Sequence, residues 1–132
     1  MRYASQQKEL VMLTLPFLSF FLSFYQINGF IYANGPPFEM CLNDTAIWYM
    51  YNMGNDDHAV HFHGHNIVYG GTYHVTAPLT AGQMQTGLME VSSGSPGLWE
   101  VICHFIHHQD SGMVANYIIY PELQCPLAPL SH

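Results

Sequence analysis

Two clusters of metal-seeking side chains restrict how this chain can fold. The first reads His58-Ala-Val-His61-Phe-His63-Gly-His65, and the second, well downstream, Cys103-His104-Phe-Ile-His107-His108-Gln-Asp-Ser-Gly-Met113. On a strand successive side chains point to opposite faces, so His61, His63 and His65 are expected to share one face while Val60 and Phe62 take the other. Three imidazoles in a row are costly unless solvated, paired or metallated. In the second cluster Cys103 points away from the face used by Ile102 and His104, and the chain must then turn to bring His108 and Met113 back to the same centre. Two imidazoles, a thiol and a thioether form the ligand set of a mononuclear blue-copper centre, with Cys and His as strong equatorial ligands and Met as a weak axial one. A thiolate and an imidazole on adjacent residues address two metal centres, giving an electron a short covalent route between them.

The rest of the chain from Ile27 onward also predicts strands. Residues 46–51 are aromatic and apolar and end in an Asn/Gly/Asp turn cluster, and 60–69 alternate until Gly70-Gly71. Runs at 82–91, 98–105 and 114–120 complete the set, with Pro121 closing the last. Short strands punctuated by Gly and Pro, without a 3.6-residue period, predict an all-β sandwich or barrel. Trp48, Trp99 and Phe62 are the expected core aromatics.

At 132 residues there is room for one small domain. Apolar residues make up 49% and charged residues 8%, too hydrophobic for a disordered chain. Both basic residues, Arg2 and Lys8, sit at the N-terminus, so nothing after Gln26 offsets the acids with Lys or Arg. Phosphate-backbone binding needs clustered cations, which excludes nucleic acid as a partner. The nine histidines gain charge below about pH 6.5 unless a metal holds them neutral.

Residues 1–26 read as a separate unit: a short polar stretch followed by an apolar run from Leu10 to Phe24 that matches a secretory signal. The run falls short of the ~20 residues that span a bilayer and is broken by Pro16. The alternative is a buried strand and turn. The expected organisation is thus an N-terminal segment over 1–26, a domain over 27–121 and a tail over 122–132. Asn43-Asp-Thr45 is a glycosylation sequon, in keeping with a secreted or extracellular protein, or one held at a membrane by its N-terminal segment. If Cys103 is a metal thiolate, Cys41 and Cys125 are left to pair with each other, to stay free, or to pair with another chain.

The paired pattern His58-x-x-His61-x-His63-Gly-His65 and Cys103-His104-x3-His108-x4-Met113 resembles the C-terminal plastocyanin-like domain of multicopper oxidases. Within that family it is most similar to the ceruloplasmin and hephaestin ferroxidases and to the A domains of coagulation factors V and VIII. Ile27-Asn-Gly29, Trp48-Tyr49 and Pro96-Gly-Leu-Trp99 add to the likeness, which covers roughly residues 27–121. The resemblance implies a cupredoxin-like Greek-key fold, here lacking its first strands, with copper as cofactor. It implies that His58, Cys103, His108 and Met113 form a type 1 copper site, that His61 ligates type 2 copper, and that His63 and His104 ligate the type 3 pair. It further implies ferrous iron or another small reductant as electron donor, dioxygen as acceptor, and a second cupredoxin domain or chain as partner.

Two departures matter. The family's second motif reads His-Cys-His, and Ile102 stands at its first position with a side chain that cannot coordinate copper. The family also builds its trinuclear cluster from two domains, and this chain supplies one set of ligands. Three function classes follow: a ferroxidase-type oxidase domain, a mononuclear electron-transfer cupredoxin, and a non-catalytic interaction module. His74 and His107 are expected to be locally hydrogen-bonded or solvent-facing. Glu39, Asp56, Asp57 and Asp110 are candidates for steering a cationic metal substrate, with solvated loop acids as the alternative.

Overall fold

The computed structural model describes residues 5–16, 23–91 and 96–126. Among these residues eleven strands run in chain order: β1 (Ser5–Pro16), β2 (Ser23–Ile27), β3 (Phe38–Cys41), β4 (Thr45–Asn52), β5 (His58–Phe62), β6 (Ile67–Tyr69), β7 (Thr72–His74), β8 (Thr76–Leu79), β9 (Met84–Glu90), β10 (Gly97–Cys103) and β11 (Val114–Tyr120). Among the described residues one short α-helix, α1 (Ile106–Asp110), fills the turn between β10 and β11. The strands form two sheets, β2-β1-β4-β9-β6-β7 and β3-β11-β10-β5-β8, in a cupredoxin-like sandwich.

The core lies between the sheets. In β4 the burial alternates strictly, placing Ala46, Trp48 and Met50 inward. Trp48 meets Phe62 of β5 at 4.6 Å between ring centroids and Phe38 of β3 at 5.1 Å, with Tyr117 of β11 at 6.5 Å. Such aromatic contacts stabilise by about 0.5–1.5 kcal/mol each beyond their buried area. Trp48 and Phe62 are core residues as expected, and Trp99 packs against the core from its margin.

Residues 5–16 and 23–26 do not stand apart from the rest of the fold. Residues 5–12 pair in parallel with 45–52 of β4, and residues 12–16 pair antiparallel with 23–27 of β2. Leu10 and Met12 are fully buried while Glu9 is exposed and Val11 half-buried, a two-residue period that a strand against a core requires. The boundary expected after residue 26 therefore falls inside β2, and β1 pairs with one edge of β4. Residues 10–16 of the apolar run thus lie in a strand, and residues 17–22, on which the rest of the secretory-segment reading falls, lie outside the described residues. Among the described residues no helix is long and apolar enough to cross a membrane.

A 3-10 turn, Glu122–Gln124, leads to Cys125, which is disulfide-bonded to Cys41 at the end of β3 with a Cα separation of 5.6 Å. That bond closes a loop of 84 residues, for which restriction of the unfolded chain contributes about 4–5 kcal/mol.

Candidate metal centre

The expected continuous strand over 60–69 breaks in the middle. β5 ends at Phe62, and Gly64 adopts φ +77° where a Cβ would lie 2.5 Å from the Trp99 ring. Only glycine fits there, because the left-handed backbone and the indole both exclude a side chain. The turn rotates His65 away from His61 and His63. Its Nδ1–H donates to the Tyr117 hydroxyl at 2.8 Å, its ring meets Trp99 edge-on at 5.4 Å, and it is buried. The Tyr117 hydroxyl in turn donates to the His63 carbonyl, so the turn is pinned to β11. The row of three imidazoles is thus two, plus one structural histidine.

On β5 the inward side chains are His58, Val60 and Phe62, whereas Ala59 and His61 face outward. β10 lies antiparallel beside it, with Cys103 opposite Val60 and Ile102 opposite His61. Directly opposed residues share a face. Cys103 is therefore inward with His58, and Ile102 is outward with His61. α1 then returns His108 to the inner side, where it is buried. Gly112, at φ +109°, turns the chain into β11 where a Cβ would meet Ile31 at 2.9 Å.

The inner residues converge. Cys103 Sγ lies 3.4 Å from His108 Nδ1 and 3.8 Å from His58 Nδ1, and the two Nδ1 atoms are 3.2 Å apart. Among the described residues these three form a buried group of two His donors and one Cys donor whose ligand atoms all lie within 4.8 Å of one another. Met113, fully buried, is tied to both: its N–H donates to the His108 carbonyl at 3.0 Å and its carbonyl accepts from the Cys103 N–H at 3.1 Å.

Burial sets the protonation of the three donors. It lowers the pKa of His58 against the raising effect of Asp56 and Asp57, and it lowers that of His108 to about 4, helped by His107 and His58. Both imidazoles are therefore neutral at pH 7, as ligands must be. The Cys103 thiol is pushed up by burial, opposed by backbone hydrogen bonds with Ala59 and Phe105, so a metal binding there displaces its proton. Two neutral nitrogens and a soft thiol facing one point, with a thioether residue alongside, fit copper by donor chemistry.

The outer residues gather more loosely. His61 stands 5.2 Å from His63 and 5.2 Å from His104 between ring centroids, with all three at least partly exposed. His61 Nδ1 donates to the Val75 carbonyl at 2.9 Å, and His63 Nδ1 pairs with Glu100 at 3.3 Å. Both therefore present Nε2. Carbonyl and carboxylate partners of this kind orient metal-ligating imidazoles. Ile102, 4% exposed, occupies the same face.

The acids divide. Glu39 accepts from the Tyr120 hydroxyl at 2.8 Å on β3 and β11, away from the metal donors, and Asp110 is exposed. Asp56 and Asp57 line a cleft with Tyr25, Phe105, His107 and His108. His74 stacks on Tyr69 at 3.7 Å and bonds Thr72, and exposed His107 stands beside His108.

Two contributors were invisible as functional residues in the sequence. Asn52, read only as the start of a turn, is buried, donates to the Asp56 and Leu79 carbonyls and accepts from Gly54 N–H, which fastens the loop that delivers His58. Tyr25 stacks on His108 from a strand the apolar run concealed.

The comparisons with known proteins agree with this geometry. The family model described as multicopper oxidase matches residues 4–122. The chain is 36% identical over 105 residues to ceruloplasmin of Mus musculus, covering 76% of the chain and 10% of that protein, and 33% identical over 103 residues to hephaestin of Rattus norvegicus, covering 76% and 8%. It thus spans about a tenth or less of these relatives' length. In fold it is similar to a multicopper oxidase from Campylobacter jejuni described as a metallo-oxidase, with TM-score 0.74 at 18% identity, over 91% of this chain and 31% of that one. The McoA multicopper oxidase of Aquifex aeolicus superimposes with TM-score 0.72 at 17% identity, over 89% and 30%. The buried His/Cys/His group and these likenesses together make the chain a member of the multicopper oxidase family, whose members bind copper.

Proposed function

We propose that this chain is a copper-dependent oxidase domain that takes electrons from ferrous iron or another small reductant at the inner centre and delivers them towards dioxygen at the outer face. The observation that carries the proposal is the convergence of Cys103 Sγ with His58 and His108 Nδ1 on the inner side, while the next residue, His104, stands with His61 and His63 on the outer side. Copper, when bound, supplies one-electron redox chemistry. In this reading His58, Cys103, His108 and Met113 are the type 1 ligands, His61 the type 2 ligand, and His63 and His104 type 3 ligands. The Cys103–His104 peptide joins the two sets by adjacent covalent bonds. His58 and His108 arrive neutral, Cys103 gives up its proton on binding, and Asp56 and Asp57 place negative charge in the cleft beside His108 where a cation approaches. The remaining ligands of the outer face come from a second cupredoxin domain or chain. The Cys41–Cys125 bond and the ceruloplasmin-like relatives support an extracellular location, with Asn43, exposed beside the disulfide, as a glycosylation acceptor.

Ile102 favours a second reading, a mononuclear electron-transfer module, because it removes an imidazole from the outer face. One pair of assays separates them. Copper-loaded chain should show an intense thiolate-to-copper visible absorption in either case, and Fe(II)-dependent oxygen consumption, alone or with an added partner domain, only in the first. A folded, copper-replete chain without that absorption contradicts both.

A further inference from the structure

Tyr25 is fastened to both segments that deliver the inner imidazoles. Its ring stacks on His108 with centroids 3.8 Å apart and planes 20° from parallel, and stands edge-on to His58 at 6.1 Å. Its hydroxyl donates to Asp56 Oδ2 at 3.0 Å, two residues before His58, and its N–H donates to the Ser111 carbonyl at 3.2 Å, just after α1. The Asp57 carboxylate accepts from the Ala81 N–H at 3.2 Å, so the loop that anchors the hydroxyl is itself held. Tyr25 also forms a wall of the cleft beside His108.

We propose that Tyr25 is a positioning residue of the inner centre: stacked on His108 and anchored through Asp56, it holds the imidazole in its ligating orientation before metal arrives and shields it from the cleft. The inference rests on the reading of His58, Cys103 and His108 as copper ligands. Its physical basis is pre-organisation. An imidazole free to rotate loses that freedom when it binds a metal, whereas one already clamped between a ring and the core does not. Stacking is also what remains effective where the hydroxyl anchor is exchanged, because the ring contact does not need the oxygen.

The full chain, apo and loaded with copper(II), tests this through Tyr25→Leu, Tyr25→Phe and Asp56→Ala. Two rates are read: carbethoxylation of His108 by diethyl pyrocarbonate in the apo chain, with exposed His107 as internal reference, and copper(II) release to EDTA followed by decay of the visible band. Tyr25→Leu should raise both about tenfold, whereas Tyr25→Phe and Asp56→Ala, which each remove the hydroxyl–carboxylate hydrogen bond and keep the stacked ring, should each raise both about threefold. A folded Tyr25→Leu chain with parental rates overturns the proposal, as does a Tyr25→Phe chain that behaves like Tyr25→Leu. If Tyr25→Leu does not fold, parental rates in Asp56→Ala overturn it. Should the parent show no visible band, the copper reading fails, and the His108 protection measured in the apo chain still decides the positioning role.

Discussion

The two faces of the β5/β10 pair carry the same kinds of side chain and make opposite environments of them. Inside, His58, Cys103 and His108 are buried and their donor atoms approach to 3.2–3.8 Å, with burial holding the imidazoles neutral and the thiol protonated. Outside, His63 and His104 each stand 5.2 Å from His61 between ring centroids, and all three are at least partly exposed. The difference is one of strand parity. A one-residue step from Cys103 to His104 exchanges a complete donor set for an open one. The inner set is supported by the domain's own core, whereas the outer set borrows its Nδ1 partners from Val75 and Glu100 and ends at Ile102.

Four substitutions break or sharpen this contrast, in order of expected effect. Cys103→Ser should abolish the thiolate-to-copper absorption while leaving metal binding by the outer imidazoles intact, checked by visible spectroscopy beside equilibrium dialysis. Replacing both Cys41 and Cys125 by Ala should lower unfolding stability by about 4–5 kcal/mol in denaturant titrations without altering the spectrum of either face, since the bond ties chain ends and not ligands. Tyr117→Phe removes the donor to the His63 carbonyl and the partner of His65 Nδ1, and should cost about 1–3 kcal/mol while shifting NMR signals of the outer histidines and sparing the inner ones. Ile102→His, opposite His61 in register, should tighten binding of a second copper equivalent about tenfold in a chelator competition and leave the inner absorption unchanged.

Much of the inner centre was legible in the sequence because residue type and spacing are both demanding: Cys103 and His108 must turn back to one point, and their donor atoms meet at 3.4 Å through α1. β4 and β11 were legible for a similar local reason, alternation bounded by Asn-Met-Gly54 and Pro121. β1 was not. Its pairing partner, β4, lies far along the chain, so an apolar run of that composition reads equally as a secretory segment. The parity of His65 was lost because alternation carries a strand reading straight through Gly64, whereas the backbone reverses there. Short β3, β7 and β8 carry too few residues to show a period. Tyr25 and Asn52 act through contacts that no local pattern announces.

The order in which the two faces fill tests the account most directly. Titrating the apo chain with copper(II) and following visible absorption, beside Cys103→Ser, should give a band that saturates at the first equivalent in the parent and never forms in the variant. A first equivalent that binds with no thiolate band, or a band that survives in Cys103→Ser, would contradict the claim that the buried inner face is the copper centre of this domain.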